Sequence, residues 1–434
     1  MTVTVTGAET TGATGNTATT ETGATRSRRR AARTGAAALI AGAVAVGTLA
    51  AAPAQAGERA DRKGAHSATQ RAIEAMVAEG VPGVTVTATD ANGVWKSAAG
   101  VGDLRTGKKR GESDRFRVAS ITKTFVATVL LQLEDEGRLD LDDTVEKWLP
   151  GVVRGNGHDG RNITVRQLLN HTSGIYNYTA DPEYQRKYFF EGFLKHRYDT
   201  VPPAYHIAVA MAHPPNFQPG AEHRYSNTGY VLAGLIIEKA TGTTYEHQVR
   251  KRIINPLKLR ETHNPGNSPF MPQPSSRAYS KLSPDPNATK VYDVTVVNGS
   301  QGWADGDIIS SAADLNRFYK ALMRGDLLSP KQLKAMKTTT PEGYGLGLYK
   351  TGTSCGKTLW GHGGGGPGSI SDAVTTEDGR HQLAFNANSE FGATPEAYAR
   401  VVDAEFCGTA PGPGAPAARK SSGAGADAVL GGRG

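Results

Sequence analysis

Arg117-Val118-Ala119-Ser120-Ile121-Thr122-Lys123-Thr124-Phe125 is the stretch on which the reading of this 434-residue chain turns. A serine hydroxyl is a poor nucleophile at neutral pH and needs a base within hydrogen-bond reach. On a helix, residues three apart share a face, with Cβ atoms roughly 5–6 Å apart, so this spacing sets the Lys123 amine beside the Ser120 hydroxyl. A desolvated amine loses pKa and can take the proton. Phe125, Val129 and Leu133 recur at helical spacing behind the pair and Gly137 offers a stop, so a helix is expected from Ser120 onward.

Ser-x-x-Lys alone is a weak signal, and Ser354-Cys-Gly-Lys357 matches it as well. Two further stretches supply the missing parts of a site. Tyr225-Ser226-Asn227 precedes a helical pattern over 228–241, so both side chains can project from a loop. A phenol can shuttle a proton, and the Asn227 amide can hold a substrate carbonyl. His362-Gly363-Gly364 follows a short strand over 358–361. Its glycines let a substrate approach an edge strand closely, and the imidazole can orient or assist a proton relay. Each has a plainer reading, Tyr225 as a packed aromatic and His362 as a satisfied loop histidine. Together they make a serine-hydrolase constellation.

Around these motifs the pattern is that of an α/β protein. Residues 84–99 read as a hairpin turning at Asp90-Ala-Asn92-Gly93. Residues 140–260 are mainly helical, most clearly over 164–170 and 228–241. Strands are expected at 344–349, 357–361, 369–375 and 381–388, and a closing helix at 394–406. Strands at both ends of the chain imply one antiparallel sheet built from the two termini and flanked by helices. An all-helical domain, about 140–300, is inserted between them.

Residues 1–56 carry a basic run, Arg26 to Arg33, then an Ala/Gly-rich apolar segment and Ala54-Gln55-Ala56. That order is an export signal, compatible with a twin-arginine route, and it implies a secreted protein. Residues 57–407 form the folded domain, and 408–434 are a Pro/Gly/Ala-rich tail expected to be disordered. The leader holds five arginines and two glutamates, so the formal charge of +8 falls to +5 without it. The charges are scattered, no nucleic-acid module is visible, and no stable membrane anchor follows the leader. The chain has two cysteines, and behind an export signal Cys355 and Cys407 are most simply a disulfide.

Two decoys fall away. Gly361-His-Gly363-Gly-Gly-Gly366 fits G-x-G-x-x-G, but Pro367 and a strand follow instead of a helix. Gly352-Thr-Ser354-Cys-Gly356 fits a nucleophile elbow, yet its oxyanion-type motif comes after it rather than before, and Cys355 is committed elsewhere. No His-Glu-x-x-His pattern is present, so no metal or other cofactor is expected.

The three motifs resemble the penicillin-recognising serine hydrolases: class C β-lactamases, serine D-alanyl-D-alanine carboxypeptidases and related esterases. Phe116 to Lys123, Leu130-Leu-Gln-Leu-Glu-Asp-Glu-Gly137, Leu168-Leu-Asn-His-Thr-Ser-Gly174 and Tyr344-Gly-Leu-Gly-Leu348 match as well. The resemblance spans about residues 66–407 and is nearest to soluble secreted DD-carboxypeptidases. It implies a β-lactamase-like fold with the site between sheet and helices. Ser120 is then the nucleophile, Lys123 its base and Tyr225 the shuttle to the leaving group. Asn227 sits on the substrate amide, and Gly365 N–H joins Ser120 N–H around the oxyanion. The chain departs where those enzymes carry hydroxyl residues, at Gly363 and Gly365, and an arginine, at Tyr349. Those groups grip a terminal carboxylate. The expected activity is acyl transfer from D-alanyl cell-wall peptides by a monomer. An esterase, D-aminopeptidase or β-lactamase is the alternative, as is a penicillin- or cell-wall-binding protein that does not turn over.

Overall fold

The computed structural model describes Gly64 and residues 66–408, so the leader and tail expectations lie outside the described residues. The N-terminal segment forms α1 (Ser67–Ala78), then β1 (Gly83–Asp90), β2 (Gly93–Asp103) and the short β3 (Lys108–Lys109). The middle of the chain supplies α2 (Thr122–Asp135), α3 (Asn227–Thr241) and α4 (Ala312–Met323). The C-terminal segment supplies β4 (Tyr349–Gly352), β5 (Thr358–Gly366), β6 (Ser369–Thr376), β7 (Gln382–Ala387) and α5 (Pro395–Cys407).

One seven-stranded sheet runs β4-β5-β6-β7-β1-β2-β3. Its seam joins the two ends of the chain: β1 lies antiparallel to β7 with Val84 opposite Ala387 and Val86 opposite Phe385. The alternation of Val84, Val86 and Ala88 buries those side chains against Ile73 and Met76 of α1 and Val401, Val402 and Phe406 of α5. α5 is fastened to the β4–β5 turn by the Cys355–Cys407 disulfide. The chain-end sheet and the cysteine pairing are therefore as expected.

α4 covers the other face of the sheet, on β1, β6 and β7. No helix is among the sequence expectations for this segment, although Leu315, Phe318, Tyr319 and Leu322 recur at helical spacing and are buried. α2 then lies between α4 and the helical region. Its Phe125 stacks on Phe318 with centroids 3.8 Å apart, and α3 packs on its other side. Eleven of its fourteen residues are buried, so it is a central helix and not the one-faced helix its periodicity suggested. Gly137 ends it as expected, at φ 66°. Between residues 140 and 254 the chain runs through short helices joined by loops, with one ladder, Arg154–Gly155 with His158–Asp159. From 255 to 298 it is mainly irregular, with the ladder Tyr279–Ser280 with Tyr292–Asp293, so the all-helical expectation for 140–300 holds only for its first part.

Three boundaries differ from expectation. Ser120 lies in a 3₁₀ turn, Ala119–Ile121, and α2 begins at Thr122, because Ala119 takes the left-handed φ of 47°. Tyr344 is not in a strand but bridges back to Tyr349, where β4 begins. β5 does not stop at Gly361. It continues through His362 to Gly366, with Gly363 opposite Asp372 and Gly365 opposite Ile370 on β6.

Candidate active site

The 3₁₀ turn before α2 sets Ser120 at the helix N-terminus, and the next turn brings Lys123 beneath it. Lys123 Nζ donates to Ser120 Oγ at 2.9 Å. A second bond, 2.7 Å to the Asp305 backbone carbonyl, holds the amine from 182 residues away. The amine is fully buried, and that desolvation lowers its pKa to about 8 against the opposing pull of Asp305. A lysine so placed is partly neutral near neutral pH, which an exposed lysine is not.

β5 lies directly against this turn. A Cβ at Gly364 would meet Val118 O at 2.0 Å and Ser120 N at 3.1 Å, so only glycine permits the approach. From β6, Ser371 Oγ donates to Val118 O at 3.1 Å and Ser369 Oγ to Arg117 O at 3.0 Å. The glycine run thus serves the scaffold of the nucleophile.

Tyr225 comes from the residues just before α3. Its ring lies 5.1 Å from Lys123 Nζ, and burial pushes its hydroxyl pKa well above the usual phenol value, with Tyr349 adding to the rise and Ser120 easing it. The hydroxyl makes no hydrogen bond of good geometry and stays close to Ser120. Such a phenol keeps its proton, so it suits a donor better than a base.

His171 was not among the residues singled out for chemistry, although it lies in the stretch 168–174 that carries the resemblance. It clamps the tyrosine segment. Its carbonyl accepts from Arg224 N–H at 3.0 Å, its Nδ1 accepts from Ser226 N–H at 3.2 Å, and its ring packs 4.1 Å from that of Tyr225. The residue holds a left-handed φ of 61° to do this. Burial, followed by the neighbouring His223 and Lys123, keeps the imidazole well below its ordinary pKa, hence neutral.

His362 is buried in β5 rather than in a loop after it. Its Nε2 pairs with Tyr344 Oη at 3.0 Å, and its ring centroid is 6.4 Å from that of Tyr225. Burial lowers its pKa to about 3, so it is a neutral member of the aromatic wall formed with Tyr344 and Tyr349. Asn227 opens α3. Its Nδ2 donates to Thr179 Oγ1 at 3.0 Å, which leaves the Oδ1 acceptor, and not the expected donor, without a partner.

Ser120, Asn227 and Gly365 line one cavity of about 130 Å³ with Tyr178, Tyr188, Phe189 and Asp305. The decoy pair lies elsewhere: Lys357 Nζ donates to Phe406 O at 2.6 Å, and Ser354 sits in the turn beside the disulfide. Among the described residues no three His, Cys, Asp or Glu side chains converge as a metal site.

A buried Ser–Lys pair under a protonated tyrosine, at the junction of an antiparallel sheet and a helical layer, defines a serine hydrolase. The chain belongs to the beta-lactamase family, whose model, described as Beta-lactamase, matches residues 68–407. A solved D-stereospecific amidohydrolase from Streptomyces sp. is 56% identical, with TM-score 0.75, over 80% of this chain and 99% of its own. D-amino acid amidase from Ochrobactrum anthropi SV3, solved with L-phenylalanine, is 27% identical with TM-score 0.68, over 78% and 98%. Penicillin-binding protein 4* of Bacillus subtilis is 28% identical over 71% of this chain and 68% of its own.

Proposed function

We propose that this chain is an exported amidohydrolase that transfers the acyl group of small D-aminoacyl amides or peptides to Ser120 and then to water. The observation that carries the substrate choice is the state of Arg117. Among the described residues lining the cavity it is the one cation, and its guanidinium donates to Pro269 O at 3.1 Å and Val297 O at 2.7 Å and faces Asp307. With glycine at 363 and 365 and tyrosine at 349, the described residues lining the cavity offer no uncommitted cation to grip a substrate's terminal carboxylate. That disfavours the carboxypeptidase expectation and favours an amide. The likeness to the Streptomyces D-stereospecific amidohydrolase supports the same choice.

In this reading neutral Lys123 takes the Ser120 proton as Oγ adds to the substrate carbonyl carbon. The developing oxyanion lies between the N–H groups of Ser120 and Gly365. The carbon–nitrogen bond then breaks, Tyr225 gives its proton to the leaving nitrogen, and Lys123 ammonium restores it. Water adds to the acyl-enzyme with Lys123, neutral again, taking its proton, and Lys123 passes that proton to Ser120 Oγ as the ester bond breaks. Tyr225 cannot be the first base, because its burial holds the phenol protonated. His362 supports the tyrosine wall. Export is supported by the basic leader and by the Cys355–Cys407 bond.

Ser120→Ala is expected to abolish both amide turnover and labelling by a fluorophosphonate, while Ser354→Ala retains them. Labelling of Ser120→Ala at the wild-type level refutes the nucleophile. Equal turnover of D- and L-phenylalaninamide by the native protein refutes the stereochemical part.

A further inference from the structure

Two acceptors in the Ser120 cavity have no use in the acyl-transfer steps above. One is the Asp305 carboxyl. It is 5% exposed, lines the cavity and takes one hydrogen bond, 2.8 Å from Tyr178 Oη. The other is Asn227 Oδ1, in a side chain 4% exposed and without a partner. A buried acceptor without a donor is costly, and a buried carboxylate without a counter-charge costs more. The cavity's other charged groups do not supply one. Arg117 is spent on two carbonyls and faces Asp307, whose Oδ1 also accepts from Asn264 at 3.0 Å. Lys123 is the remaining cation near Asp305, and its ammonium is what catalysis must first remove.

We propose that the Asp305 carboxylate and Asn227 Oδ1 form a subsite for a primary ammonium group, so that the substrates of Ser120 are aminoacyl compounds with a free α-amino group. This rests on the reading of Ser120 as nucleophile and deepens it to a substrate class. A primary ammonium brings several donors and one positive charge, which is the complement of one carboxylate and one amide oxygen. The aromatic lining from Tyr178, Tyr188, Phe189 and Phe193 suits an apolar side chain on the same α-carbon. The subsite also has a consequence for the base. A substrate ammonium facing Asp305 replaces Lys123 as its counter-charge and, as a like charge nearby, drives Lys123 towards its neutral form. Substrate then completes the conditions for its own acylation.

The test compares D-phenylalaninamide with 3-phenylpropanamide, which differ by the amino group alone. Native protein is expected to favour the amine by about ten- to hundredfold in kcat/KM, the size of a charge-assisted hydrogen bond. In Asp305→Asn that ratio falls to about threefold or less, since the carboxylate's charge carries most of it. A second measurement needs no variant: D-phenylalaninol should inhibit hydrolysis of p-nitrophenyl acetate at least about tenfold more tightly than 3-phenylpropanol. A native ratio near one, an unchanged ratio in Asp305→Asn, or equal inhibition by the two alcohols overturns the subsite while leaving the nucleophile intact. Absence of turnover of both amides and of p-nitrophenyl acetate overturns the nucleophile, and the subsite with it.

Discussion

The rate of acylation should follow the ionisation of Lys123, and the structure sets where. Complete burial lowers this amine to about pH 8. A base works deprotonated, so activity rises as pH rises. With that pKa about one-tenth of the enzyme is competent at pH 7 and one-half at pH 8, a gain of about fivefold across the unit, levelling above about pH 9. Asp305, which burial raises to about 7, lies close enough to couple, so the limb belongs to the pair and not to one group. The assay is kcat/KM for p-nitrophenyl acetate from pH 6 to 9, because that ester has no ionising group and the ratio reports the free enzyme. Lys123→Arg removes the titrating base and leaves the charge, and should cost at least ~10²-fold at pH 8. Its thermal midpoint is followed alongside, since a larger group in a fully buried site also strains the packing. A flat profile refutes the reasoning. His171 and His362 are both neutral throughout this range, so a flat profile is what a histidine base would produce.

Two further outcomes follow from the geometry. Gly364→Ala should lower the melting midpoint and the acylation rate together, because its Cβ would stand 2.0 Å from Val118 O and push β5 off the nucleophile turn; a variant with native midpoint and rate shows that the turn can yield freely. His171→Ala should slow D-phenylalaninamide by about tenfold or more while slowing p-nitrophenyl acetate much less, since only the amide's leaving group needs the proton that Tyr225 carries; equal losses on both substrates would assign His171 to stability alone.

The chain's local regularities were legible before folding. A three-residue spacing places Lys123 under Ser120 wherever the segment is helical, and Phe125, Val129 and Leu133 mark it as a helix. Alternating Val84, Val86 and Ala88 and the C-terminal strand pattern reveal strands, although β1 and β7 prove buried on both faces, and two cysteines in the whole chain leave one pairing. Glycine misled where its low strand propensity pointed to a loop: 362–366 pairs fully with β6, because the close approach to Val118 and Ser120 outweighs that propensity. What tertiary structure alone decided is the chemistry of the groups. The bond from Lys123 to Asp305, the clasp of His171 on residues 224–226, and the commitment of Asn227 Nδ2 to Thr179 join segments about 50 to 182 residues apart. Desolvation depends on every neighbour at once, and no spacing along the chain encodes it. The sequence by itself named a serine with a lysine beside it; burial made that lysine a base, and the same burial left Asp305 and Asn227 facing the nucleophile's cavity with acceptors to fill.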